Sequence, residues 1–202
     1  DSEYRFITTE NIDPETDPTS RKVWSSTKKA LSGRNCLAYW KYPIFSKRGE
    51  DRKEPDILIV DKKIGLVVLE ILDYKIEDIE KVSYENWQYR NGKTNESPHY
   101  QVEDQLFAIQ GLYQGNRVIR KTTGRSGIVL PNISKDEWEE RGFSINNIIF
   151  GNNLGPKSFL NELKNLDIEI GGNEITEKMW KELLLVITGQ NTFKKESKEK
   201  QD

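Results

Sequence analysis

Two acidic residues stand at mirror positions in the segment that runs from Glu54-Pro55-Asp56 to Glu70-Ile71-Leu72. The midpoint between Asp56 and Glu70 is residue 63, inside Asp61-Lys62-Lys63-Ile64-Gly65, a turn in which Gly65 can take a positive φ. Folding the chain there pairs two apolar runs antiparallel and sets Asp56 opposite Glu70. Directly opposed Cβ atoms lie roughly 4.5–5.5 Å apart. Two carboxylates that close repel unless a cation sits between them or one keeps its proton. The alternative is a pair of strand-end acids that face solvent or pair with lysines. Carboxylates on covered strands are costly without partners, which favours a metal site.

The elements that must hold this pair follow from periodicity. Residues 55–61 and 65–72 are apolar at nearly every position, as expected of central strands covered on both faces. A helix is predicted from a cap at Thr19 or Ser20 to Gly33, with Val23, Trp24, Thr27 and Leu31 as its inner stripe. Cys36 to Phe45 reads as a strand, with Pro43 near its end, and Ser46 to Lys53 as a charged loop. After a polar, aromatic-dotted stretch from Asp73 to Glu96, Ser97-Pro98 starts a second helix reaching about Gly115, with Val102, Leu106, Ile109 and Tyr113 inward. Ser126–Leu130 and Asn147–Phe150 read as short strands. A helix follows Gly155-Pro156, and a last helix spans about Thr176 to Gly189 on Met179, Trp180, Leu183, Leu184 and Ile187. This order predicts an α/β fold, a mixed central sheet flanked by helices. Residues 1–18 read as an irregular lead-in, 19–190 as the domain, and 191–202 as a charged tail or linker.

Composition narrows the chemistry. A net charge of −2 argues against nucleic-acid binding by bulk charge, leaving only a local basic strip. One cysteine excludes an internal disulfide and fits a reducing, cytoplasmic setting. The longest apolar runs are too short to cross a bilayer, so no membrane role is expected. No GxxxxGK[ST] loop is present, so no nucleotide site is expected in this chain. The chain opens at Asp1 rather than Met, which leaves room for residues upstream.

The same residues resemble the PD-(D/E)XK nuclease superfamily, and within it the nuclease-related domain (NERD) group found at the N-terminus of bacterial superfamily 1 helicases. The resemblance rests on Glu54-Pro55-Asp56, on Gly65-Leu66-Val67-Val68-Leu69-Glu70-Ile71-Leu72-Asp73-Tyr74, on Trp87 and on Ser97-Pro98-His99-Tyr100-Gln101. Leu130-Pro131 and Ile148-Ile149-Phe150 extend it, so it covers about residues 19 to 151. It implies a restriction-endonuclease-like αβββαβ core and a DNA endonuclease that hydrolyses phosphodiester bonds. It also implies Mg²⁺ or Mn²⁺ held by Asp56, Glu70 and the Ile71 carbonyl, DNA as partner, and a helicase domain C-terminal to this chain. Two departures stand against it. The Glu-x-Lys lysine would fall at position 72, which is Leu72, and an acid of the first helix would fall at Ser20. Turnover then needs a replacement cation, for which Lys75, Lys28 and Lys29 are the candidates. The alternative is a non-catalytic DNA-binding or scaffold domain of a larger helicase-like protein. A blander reading is an α/β domain whose likeness is accidental.

The remaining candidates each have two readings. Gln101, in the first turn of its helix, would bond a scissile phosphate or a water, or is a surface glutamine. Trp87 would stack on a base, or more often is a core residue. Arg117, Arg120, Lys121 and Arg125 would touch DNA phosphates, or form a solvated loop. The single histidine, His99, excludes a His-rich zinc site and is expected to be exposed. Cys36 lacks a suitable base and is expected to pack in its strand.

Overall fold

The structure is a computed structural model and describes residues 4–44 and 54–199. The charged loop expected at 46–53 and the last three residues of the expected tail lie outside the described residues. In chain order the elements begin with β1 (Tyr4–Thr8), α1 (Pro18–Leu31), β2 (Cys36–Trp40), β3 (Ile57–Asp61) and β4 (Gly65–Ile71). Three short strands follow, β5 (Ile79–Val82), β6 (Asn86–Tyr89) and β7 (Thr94–Glu96), and then α2 (Pro98–Gly111) and β8 (Gly124–Leu130). The chain closes with α3 (Lys135–Glu140), β9 (Ile148–Phe150), α4 (Pro156–Asn165), β10 (Ile168–Ile170) and α5 (Glu177–Glu199).

The main sheet runs β1-β2-β3-β4-β8-β10, with β9 also on β8. Its middle is antiparallel, while β4 and β8 are parallel and joined through α2, so the fold is α/β with a mixed sheet flanked by helices. The hairpin adopts the register that the mirror symmetry predicts: Ile57 faces Leu69, Leu58 faces Val68 and Asp61 faces Gly65. Gly65 takes φ +97° to make the turn. All of β3 and the first five residues of β4 are buried, because both faces are covered.

Alternation divides the core in two. Ala38, Ile57, Ile59, Val67 and Leu69 point towards α1 and α4, meeting Val23, Leu31, Phe159 and Leu163. Leu37, Leu58, Val60, Leu66 and Val68 point the other way, to Val102, Leu106 and Ile109 of α2, Leu183 and Ile187 of α5, and Trp87 of the small sheet. The predicted inner stripes of α1, α2 and α5 therefore lie where periodicity puts them.

Several boundaries differ from the sequence reading. The lead-in supplies β1, which pairs parallel with β2 from Tyr4 opposite Cys36 to Thr8 opposite Trp40. The cap of α1 is Asp17, whose carboxylate accepts the Ser20 N–H at 3.2 Å, and Pro18 opens the helix. The aromatic-rich strand stops at Trp40 rather than Phe45, because Lys41 turns left-handed. α2 ends at Gly111, with Tyr113 buried in the turns beyond. The polar stretch after Asp73 forms the antiparallel sheet β5-β6-β7, and α5 continues past Gly189 to Glu199, into the stretch expected as a tail. Among the described residues no helix is long and apolar enough to cross a membrane.

Candidate functional site

Asp56 and Glu70 meet at the end of the sheet remote from the hairpin turn. Asp56 precedes Leu58 and Val60 and Glu70 follows Leu66 and Val68, so both belong to the α2 face. Asp56 is buried, and its Oδ2 accepts the Ile71 N–H at 2.8 Å. Ile71 thus stands at the site and orients the carboxylate of Asp56; extended backbone sends its carbonyl out along the same edge. Glu70 is half-buried and accepts a long contact, 3.5 Å, from Gln105 Nε2 of α2. Burial and the neighbouring Asp56 charge raise the Glu70 pKa to about 7, against the opposing pull of Lys41.

A cation is already present. Lys41 Nζ pairs with Asp56 Oδ1, and its ammonium lies 5.2 Å from the Trp40 ring centroid. Burial works against its charge, but Asp56 and Glu70 outweigh that and hold its pKa above the ordinary lysine value. Lys41 is also a backbone outlier, with φ +59°. A left-handed conformation costs a non-glycine residue roughly 1–2 kcal/mol. Its N–H donates to the Asp56 carbonyl at 2.9 Å and its carbonyl accepts from Thr9 Oγ1 at 2.5 Å, which hold the turn in place. The sequence reading missed Lys41, because nothing local to Trp40-Lys41-Tyr42 marks its reach into a neighbouring strand's site.

The expected replacement cations are all exposed. Lys75 is exposed where a short 3-10 turn begins, its N–H donating to Asp78 Oδ2 at 2.9 Å. Lys28 and Lys29 are exposed in the last turn of α1. The chain leaves that turn for Cys36, which faces Asp61, so both lysines sit at the hairpin-turn end. Leu72 packs against the α2-side core, sharing the face of Asp56 and Glu70 as alternation predicts. Gln101 is exposed; the α2 glutamine that contacts the acid pair is Gln105, one turn later.

Other candidates move too. Arg125 spends its guanidinium on main-chain carbonyls, Ile64 at 3.4 Å, Lys164 at 3.1 Å and Leu166 at 2.5 Å, and so ties β8 to neighbouring loops rather than facing DNA. Arg117, Arg120 and Lys121 are exposed. They precede Gly124, which faces Leu66 at the hairpin-turn end, about 13 Å along β4 from Glu70. His99 is buried, not exposed: it stacks on Tyr84 at 5.3 Å and its pKa falls to about 4 through burial. Trp87 is fully buried, so it is a core residue. Cys36 is buried, with its thiol pushed up to about 12 by burial.

Among the described residues no group of three or more His, Cys, Asp or Glu side chains is arranged to hold a metal ion. The donor set at the acid pair is nevertheless all oxygen. Gln105 turns its Nε2 to Glu70 and to the Glu54 carbonyl, each at 3.5 Å, while its Oε1 is buried with no hydrogen-bond partner. Two carboxylates suit a hard cation such as Mg²⁺ or Mn²⁺. Compared with known proteins, the chain matches no family model, no curated protein and no solved structure.

Proposed function

We propose that the chain is a nuclease-related domain of the PD-(D/E)XK kind, hydrolysing phosphodiester bonds in DNA with Mg²⁺ or Mn²⁺. In this reading it serves as one domain of a larger, helicase-like, cytoplasmic DNA-processing protein. The observation that carries the proposal is the opposed acid pair, Asp56 buried and Glu70 half-buried, with Gln105 of α2 donating to Glu70. Asp56 and Glu70 would hold the cation, which would supply Lewis acidity and a water of lowered pKa. The chain's own groups do the rest. The Ile71 N–H fixes the Asp56 carboxylate, and Gln105 ties Glu70 to the Glu54 carbonyl at 3.5 Å. Leu72 dries one side of the site. Arg117, Arg120 and Lys121 would touch phosphates away from the acids, giving a salt-dependent affinity.

Isothermal titration with MnCl₂ and plasmid nicking test this. The wild type is expected to take up Mn²⁺ and nick, and Asp56→Ala to lose uptake and nick roughly 10²-fold more slowly or worse. Absence of Mn²⁺ uptake by the wild type would remove the reading. A non-catalytic scaffold would then stand. One observation favours it: the Lys41 ammonium pairs with Asp56 and offsets its charge.

A further inference from the structure

We propose that Lys41, reaching in from the end of β2, supplies the ammonium group that position 72 lacks. The inference rests on reading Asp56 and Glu70 as a metal-holding pair, and it gives that pair a third functional residue. Three observations carry it.

The first is contact: Lys41 Nζ touches Asp56 Oδ1, while the other carboxylate oxygen is held by Ile71. The second is the backbone. A chain reversal after Trp40 could use glycine or asparagine at little cost, yet a lysine occupies the left-handed position. Strained positions persist where surrounding contacts over-determine them, and they cluster at functional sites. Here the Asp56 carbonyl and the Thr9 hydroxyl clamp both ends of the Lys41 unit. The third is position. Lys28 and Lys29 are exposed at the hairpin-turn end, Lys75 is exposed at the start of a 3-10 turn, and Leu72 packs against the apolar core.

The ammonium therefore approaches the acids across β3, from the β2 side, instead of from beyond Glu70 on β4. There it would offset negative charge on a substrate phosphate oxygen, without a bond being made or broken at nitrogen. Before a cation binds, the same group lies on Asp56 and competes with it. Lysine at position 41 thus weakens metal affinity while raising turnover, a combination that a merely structural ion pair would not give.

The test uses the whole chain, MnCl₂ titration and supercoiled plasmid, with Lys41→Met, Lys41→Gly and Lys41→Met/Leu72→Lys. Lys41→Met is expected to bind Mn²⁺ severalfold more tightly and to nick roughly 10²-fold more slowly. Lys41→Gly, which relieves the left-handed backbone but leaves buried Asp56 without its ammonium partner, is expected to show the same loss of nicking at saturating Mn²⁺, where the bound cation again offsets Asp56. Adding Leu72→Lys to Lys41→Met is expected to restore most of the nicking. If Lys41→Met binds Mn²⁺ and nicks like the wild type, Lys41 is only a structural partner, and the acid-pair reading survives. A wild type that binds Mn²⁺ without nicking also overturns the role for Lys41. A wild type that takes up no Mn²⁺ overturns both.

Discussion

Gly65→Ala is expected to destabilise the fold by about 3–5 kcal/mol, a large share of the 5–15 kcal/mol typical of a domain. Two costs add. Gly65 has φ +97°, a backbone that a Cβ disfavours by roughly 1–2 kcal/mol. That Cβ would also sit 2.3 Å from the Thr123 carbonyl oxygen, which is backbone and accepts the Leu66 N–H at 2.8 Å. Neither group can yield without parting β4 from β8 where they begin. Gly33→Ala separates the two costs, because Gly33 has φ +78° but open space around it. Its loss should stay near 1 kcal/mol, the conformational part alone. Urea midpoints measure both, and equal losses would mean that crowding at Gly65 is absent in solution. Shifting the turn would also slide Asp56 past Glu70, since a one-residue slip moves every side chain of a strand to the other face.

Glu70→Gln is expected to change how stability depends on pH. Glu70 titrates near pH 7 in the folded state and at an ordinary, lower value when unfolded. Between those values the folded state binds the extra proton, so stability falls as pH rises towards 7. His99 works the other way. Its folded pKa is about 4, so from pH 6.5 downwards the unfolded state binds the extra proton and stability falls as pH falls. A shift from 6.5 to about 4 corresponds to roughly 3 kcal/mol at full expression. Across about pH 4.5–6.5 the two slopes oppose and flatten the wild-type profile. Glu70→Gln removes one arm. The variant should gain stability steadily from pH 4 to 6.5 and exceed the wild type at pH 8 by about 1–2 kcal/mol. Chemical denaturation at a series of pH values reads this directly; parallel curves for the two proteins would refute the assigned Glu70 environment.

What could be read from the residues was whatever local chemistry fixes. The hairpin register followed from the mirrored apolar runs and one glycine, and Ser97-Pro98 started α2 where cap and ring geometry require. Two further elements had local signals that the reading left unused. Ser134 and Glu137 form a capping box that opens α3. Asn91-Gly92 is a hairpin turn signal between β6 and β7, with Gly92 at φ +81°. The rest was not local. Lys41 reaches the site through a left-handed backbone that a lysine rarely adopts. Gln105, rather than Gln101, faces Glu70 because of how α2 crosses the sheet, which is set by Leu106 and Ile109 packing on distant strands. His99 is buried only because β5-β6-β7 brings Tyr84 and Trp87 against it.

The outer edge of β8 is shared by two short strands of opposite direction. β10 runs antiparallel along its first residues and β9 parallel along its last, and the β10 register shifts between Ile168 and Ile170. Sheet borders are where like molecules add to one another and grow into fibrils, and an uninterrupted ladder of free amides is the template. This border offers no such ladder, because no strand of a second molecule can match both directions at once. This border of the sheet should therefore resist edge-on addition of a second molecule, a protection that removal of Ile168–Ile170 would abolish.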